Sequence, residues 1–285
     1  MKKAVVTEAL GFIGFQLCSR LLEEGIEVAA VDDLKKGSEG AEKENKLNYF
    51  GRNALFTFYN GEIAKVSLRK VFEGADVCFD LSPQDSCGEK EFHHALHNIF
   101  ENIRIFVDNV SEKEPFFILD SSTDLYGKAS GKVDESAELA PVSSPGLVSL
   151  VKESLFSHHG LPLAVLRFPE IYGPGQPSTG SLHRLISGET PDHEPADVLY
   201  IEDAVSALIA AAEKSTPGTF NIASGKIGEW SRAREHVTGE NLASKKIDRN
   251  ETSFSIEKAK ETFGFIPEKP LKEGIEEQKR QVADR

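Results

Sequence analysis

Residues 2–14, KKAVVTEALGFIG, decide how the rest of the chain is read. Ala4, Val5, Val6 and Thr7 form a short apolar, β-branched run that predicts a buried strand. The run breaks into a small-residue turn. That turn opens onto an amphipathic helix through Gly11, Phe12, Ile13, Leu17, Leu21 and Leu22, which stops at Gly25. About twenty residues past the turn a second strand, residues 27–31, ends in Asp32. Strand, turn, helix, strand and acid in this order suit a dinucleotide. Small residues let backbone amides approach a pyrophosphate, and the helix N-terminus presents unpaired N–H groups to it. The strand-end acid accepts from a ribose hydroxyl. Thr7, Gly11, Phe12, Ile13, Gly14 and Asp32 are therefore candidate cofactor contacts.

One position departs from the spacing G-x-x-G-x-x-G. Gly11 and Gly14 supply its last two glycines, and Glu8 stands at the first. An anionic side chain then faces an anion, at a cost on the order of a kcal/mol for an effective dielectric of about 20 or more, or nothing if it turns to water. A turn of this shape that binds no nucleotide is the competing reading. Asp32 favours NAD over NADP, while Lys35 and Lys36 leave a phosphate-tolerant alternative open.

The chain has 285 residues, 39% hydrophobic and 28% charged, enough for one or two globular domains with a full core. Net charge is −13 and no run of cationic residues exceeds two, which argues against nucleic acid and anionic membrane surfaces as partners. No apolar run approaches the ~18 residues of a membrane span, and the N-terminus enters a strand without a signal-like apolar region. A cytoplasmic location is expected. Cys18, Cys78 and Cys87 lack metal spacing, and the first two fall on apolar faces as core thiols. His93–His94 and His158–His159 are adjacent pairs that diverge by about 100° on a helix, so they read as solvated or capping and no metal is expected.

Strands and helices alternate onward. Strands are expected at residues 55–59, 75–81, 114–119, 163–168 and 218–222, and helices at 66–72, 89–110, 146–158, 202–213 and 255–262. This alternation predicts an α/β fold, a doubly wound parallel sheet whose ligands sit beyond the carboxyl ends of its strands. From Gly173 the sequence GPGQPSTG makes the alternation irregular. The expected division is a dinucleotide-binding domain at 1–166, with 197–222 returning to it, and a smaller substrate lobe at 167–285.

Several motifs in order resemble the NAD-dependent epimerase/dehydratase group, extended short-chain dehydrogenases/reductases that act on nucleotide sugars. TEALGFIG resembles T-G-x-x-G-F-I-G, VDDLKKG resembles V-D-N-L-x-x-G, and NGEI, with Glu62, resembles the G-D-I that meets adenine. DLSP, with Asp80 and Leu81, stands where H-L-A-A is usual, and SSTDLYG places Ser122 at the catalytic Ser or Thr. RFPEIYGPGQ resembles R-x-x-N-V-Y-G-P-G-Q with Glu170 for Asn. DVLYIEDAVSAL, FNIASG and KAKETFGFIPEKPLKEGI match later motifs in sequence. The resemblance implies a Rossmann-type fold, NAD as cofactor, a UDP- or dTDP-hexose as ligand, and a homodimer.

The same resemblance implies a Tyr and a Lys four apart on one helix, the ammonium depressing the phenol's pKa so that it can take a proton from a sugar hydroxyl. Lys152 matches the Lys, as both a catalytic and a cofactor residue, but Val148 occupies the Tyr position in GLVSLVKES. Arg249, in DRNET, stands for the Arg that contacts a nucleotide diphosphate, and Glu170 for a substrate contact. Three readings stay open: an NAD-dependent epimerase or dehydratase, a non-catalytic nucleotide- or sugar-nucleotide-binding relative, and an altered chemistry with Ser122, Asp80 or Glu170 as acid or base.

Overall fold

The apolar run at the N-terminus forms β1, Lys3–Thr7, buried from Ala4 onward. In this computed structural model residues 1–34, 38–62, 66, 68–81, 89–109, 115–240 and 251–283 are described. β1 leads through the turn into α1, Phe12–Glu23, whose Gly14, Leu17, Cys18, Leu21 and Leu22 are buried. The helix ends at Gly25, φ 77°, with the Ile26 N–H closing onto the Leu21 carbonyl at 2.9 Å. β2, Glu27–Asp32, then pairs parallel to β1, with Val5 opposite Ala29 and Thr7 opposite Val31.

A helix follows where no element was expected. α2, Ser38–Phe50, is too polar to show an apolar stripe, yet it turns Lys43 and Phe50 inward. Phe50 stacks on Phe56 at 4.7 Å and lies 5.1 Å from Phe15. β3, Phe56–Asn60, α3, Leu68–Phe72, β4, Val77–Asp80, α4, Glu89–Asn109, and β5, Phe116–Ser122, continue the alternation. β5 runs three residues past its expected end, through Asp120, Ser121 and Ser122. After β6, Lys132–Val133, come α5, Ser144–His158, β7, Leu163–Phe168, β8, Glu170–Tyr172, α6, Ser181–Ile186, and β9, Val198–Tyr200. α7, Ile201–Lys214, β10, Gly218–Asn221, α8, Glu229–Thr238, β11, Ser253–Phe254, α9, Glu257–Phe263, and α10, Leu271–Ala283, complete the chain.

The main sheet has seven strands in the order β10-β7-β5-β4-β1-β2-β3, and the pairs β2–β3, β1–β2, β1–β4 and β4–β5 are parallel. The strand order reverses beside β1, as in a Rossmann-type doubly wound sheet. The chain forms two compact units: Met1–Ser121 with Leu147–Val165 and Ala211–Gly218, and Ser122–Gly146 with Leu166–Ala210 and Thr219–Arg285. The first has a core of Val5, Ala29, Cys78, Phe106, Phe117, Val148 and Phe156, among others. Phe106 lies 5.4 Å from Phe117 and 5.9 Å from Phe156. In the second unit Leu125, Tyr126, Val133, Ala223 and Phe254 form a separate cluster, and the pairs β6–β11 and β8–β9 are parallel.

Cys18 and Cys78 are free thiols, and burial pushes both well above the ordinary thiol range. Cys87, Lys35 and Lys36 lie outside the described residues. His93, His158 and His159 are exposed. Among the described residues no helix is long and apolar enough to cross a membrane.

Candidate functional site

At the turn after β1, Glu8 adopts φ +49°, in the left-handed region. An L-residue there costs roughly 1–2 kcal/mol, which explains why glycine suits this position. The turn nonetheless keeps the shape of a glycine turn. The Glu8 carbonyl accepts from the Gly11 N–H at 2.9 Å, and Ala9 N–H donates to Val31 at 3.3 Å. A Cβ on Gly14 would lie 2.1 Å from the Glu8 carbonyl oxygen, so helix and turn touch too closely for any side chain. Gly11 caps α1 without a side-chain hydrogen bond, and the first turn of the helix carries no acidic residue. The cradle of backbone and helix N-terminus fits a dinucleotide pyrophosphate.

The Glu8 carboxylate is a third exposed and is tied to a lysine of α2. It lies 3.5 Å from the Lys43 ammonium. Lys43 Nζ is also 2.6 Å from Asp32 Oδ1 and 3.5 Å from Asp33 Oδ1. The other Asp32 oxygen accepts the Leu10 N–H at 2.8 Å, and the Asp32 side chain is wholly buried. Burial alone would lower the Lys43 pKa, but Glu8, Asp32 and Asp33 outweigh it and hold the ammonium above the ordinary lysine range. Asp32 thus acts at the end of β2 as one member of a charge cluster rather than as a lone acid.

A second cluster gathers at the carboxyl ends of β1, β4 and β5. Thr7 Oγ1 donates to Asp80 Oδ1 at 2.9 Å and accepts from the Leu81 N–H at 3.0 Å. The Lys152 ammonium lies 2.6 Å from Asp120 Oδ1 and 3.6 Å from Asp80 Oδ2, and donates to the Asp80 carbonyl at 3.2 Å. Ser121 Oγ donates to Glu153 in the same interior. Lys152 is 1% exposed. Burial works against its charge, but Asp120 and Asp80 more than offset this and raise its pKa. Val148, one helical turn earlier, is sealed in the apolar core with Phe117, Leu119 and Phe156. Both positions of the expected phenol–ammonium pair therefore point into packed interior.

In the second unit Ser122 Oγ accepts from the Asp124 N–H at 3.0 Å, capping a 3₁₀ turn, Thr123–Tyr126. Tyr126 packs on Phe254, donates to Asn221 Oδ1 at 2.7 Å and accepts from Arg167 at 2.8 Å. Glu170 Oε1 accepts from Gln176 Nε2 and from the Leu182 N–H, both at 3.0 Å. Gln176 in turn accepts from Gln278, which receives the Gly173 N–H at 3.1 Å. Glu170 thus anchors the Pro- and Gly-rich segment after β8. Glu62 follows β3, half-buried, and Phe12 and Ile13 open α1, also half-buried. Arg249 lies outside the described residues.

Two charged residues escaped the sequence reading. Lys43 carries the first cluster, and its signal was a lysine in step with Gly40, Leu47 and Phe50 on one face of a polar helix. Asp120 carries the second, where the polar end of the β5 segment concealed a buried carboxylate.

The family model of the NAD dependent epimerase/dehydratase family matches residues 4–223. A Bacillus subtilis protein described as an uncharacterized UDP-glucose epimerase is 29% identical, over 96% of this chain and 95% of its own length. A UDP-glucuronate 4-epimerase from Thermodesulfobacterium geofontis is 26% identical over 95% and 93%. The crystal structure of UDP-glucuronic acid 4-epimerase from Bacillus cereus in complex with NAD superposes with a TM-score of 0.83 over 99% of each chain, a likeness of fold at 24% identity. With the cradle on β1 and α1 intact and the match spanning most of its length, the chain belongs to the NAD dependent epimerase/dehydratase family.

Proposed function

We propose that this protein binds NAD and a UDP- or dTDP-hexose without turning the sugar over. Residues 1–166 and 197–222 would carry the dinucleotide and 167–285 the sugar nucleotide. One observation carries the reading: Lys152 is clamped between Asp120 and Asp80 while Val148 is buried among apolar side chains. NAD, when bound, supplies hydride exchange. The chain must then take and return the hydroxyl proton, and neither 148 nor 152 offers a group free to do so. The intact turn, the α1 N-terminus and Asp32 support cofactor binding independently of that loss. The relatives named as UDP-sugar epimerases support a nucleotide hexose as ligand. A cytoplasmic location and a homodimer are proposed with it, and the exposed Phe100 and Leu147 on α4 and α5 offer apolar surface to a second copy.

Calorimetric titration with NAD, then UDP-glucose or dTDP-glucose, combined with chromatography of the recovered sugar, tests this. Binding of both with the hexose unchanged is expected. A new hexose product would overturn the non-catalytic reading, and absence of any binding would overturn the cofactor and ligand assignment.

A second reading rests on Asp120, whose carboxylate meets the Lys152 ammonium at 2.6 Å at the end of β5, where it stands as a base of altered type. An ammonium at that distance favours the ionised carboxylate and makes it a weak proton acceptor. This reading requires turnover that survives Val148→Ala and disappears in Asp120→Asn.

A further inference from the structure

A groove of about 570 Å³ opens in the second unit, lined by the segment after β6, by α9 and by Thr219 of β10. Among the described residues it shares none with the candidate site. Asp134 and Glu135 line it from the β6 side, Glu257 and Glu261 from α9. Two of these carboxylates are already fixed. Asp134 Oδ1 accepts the Ser136 N–H at 2.9 Å and the Ser136 hydroxyl at 2.6 Å, and Glu135 Oε1 accepts the Asn221 N–H at 2.7 Å. Lys258 also lines the groove, with its ammonium 5.1 Å from the centre of the Phe220 ring. Ser255 lines it too, yet is only 8% exposed. Its N–H donates to the Val133 carbonyl at 2.7 Å, while its hydroxyl has no hydrogen-bond partner among the described residues. A hydroxyl so deeply set and unpaired is costly, and a ligand rich in N–H donors would satisfy it.

We infer that this groove docks an arginine side chain carried on an extended segment of a partner protein. A metal ion is a poor fit, since among the described residues no group of three or more His, Cys, Asp or Glu is set to hold one. A guanidinium presents five N–H donors in one plane, enough to bridge carboxylates from two elements and still reach a hydroxyl. Its hydrogen bonds to carboxylates are charge-assisted and are the strong kind. A lysine ammonium is a compact point charge with three donors and matches such a spread of acceptors less well. Because Asp134 and Glu135 are held before any ligand arrives, less ordering is lost on binding. The volume exceeds that of a guanidinium head and leaves room for the backbone that carries it. β10 is the last strand of the main sheet, so an extended segment can approach along it. The inference stands apart from the proposed binding of NAD.

Calorimetric titration of the full chain with a capped Gly-Gly-Arg-Gly-Gly peptide, its Lys counterpart and L-argininamide tests this. The Arg peptide is expected to bind about tenfold tighter than either of the others, and more weakly as salt rises. Glu261→Gln should weaken it about tenfold and Ser255→Ala about threefold, with thermal unfolding as a check on folding. Glu261 is exposed on α9, so its variant carries the test even if Ser255→Ala fails to fold. Glu213→Gln, an exposed acid of α7 outside the groove, should leave the affinity unchanged. No binding of the Arg peptide, equal affinity for the Lys peptide, or binding untouched by Glu261→Gln would overturn the inference. Argininamide binding as tightly as the peptide would overturn it as well, since the site would then serve a free guanidine rather than a partner's side chain.

Discussion

At the scale of single residues, the turn after β1 and the interior around Lys152 make opposite demands. Gly14 has no room for a side chain, because a Cβ would meet backbone atoms of Glu8 and Ala9 at 2.1 and 2.9 Å. Gly14→Ala should cost about 1–3 kcal/mol as an overpacked contact that backbone cannot relieve, read as a lower urea midpoint at unchanged slope. Lys152 fails in the other direction. Lys152→Met keeps the volume but leaves Asp120 and Asp80 buried without their ammonium, and should destabilise by about 3–5 kcal/mol. Adding Asp120→Asn should recover part of that loss in a double-mutant cycle. Strict additivity of the two changes would mean that no charge pair links them. The spacing of the glycines exposed Glu8 in the sequence, but its partner Lys43 was hidden, since an ion pair between a turn and a helix has no local pattern. Lys152 was legible as a family lysine, whereas its burial depends on Asp120 and Asp80, which come from two different strands.

At the scale of elements, α5 explains how a helix with a matching lysine can lack the expected proton relay. Val148, Ser149, Lys152, Glu153 and Phe156 form its inward stripe, so positions 148 and 152 face the sheet. Val148→Tyr should therefore force a ring into the cluster of Phe117, Leu119 and Phe156, costing about 1–3 kcal/mol without restoring turnover. A lower melting temperature together with an unchanged hexose is the expected pair of readings. A stable variant that converts UDP-glucose would show that position 148 reaches a substrate. Most elements were legible because their apolar runs are strong: β7 was expected at residues 163–168 and occupies Leu163–Phe168, fully buried. α2 was not, because its sequence SEGAEKENKLNYF offers few apolar residues to count. β5 was read short because Asp120, Ser121 and Ser122 look like a loop until a buried network claims the first two.

At the scale of the whole molecule, charge sets both the pH response and the question of activity. Asp197 is buried, with its oxygens accepting the Val198 and Ser224 N–H groups at 2.8 and 2.9 Å. Burial outweighs those hydrogen bonds and pushes its pKa up to about 7. The folded state then holds this proton more tightly than the unfolded chain. Stability should therefore rise as pH falls from about 7 toward 3.8, and the cost of the buried charge is fully present above about 7. Between pH 8 and pH 5 wild type should gain on the order of 2–3 kcal/mol relative to Asp197→Asn, a comparison that removes the general effect of the chain's net charge of −13. Parallel pH profiles for the two proteins would show that Asp197 stays ionised in the fold. The central claim, that this family member binds its ligands but has no proton relay at 148 and 152, is tested most directly in a single turnover. Protein saturated with NAD is mixed rapidly with UDP-glucose or dTDP-glucose, and the absorbance of reduced nicotinamide is followed. Binding without any rise in that absorbance is the predicted result, and a transient or lasting rise on a catalytic timescale would contradict it.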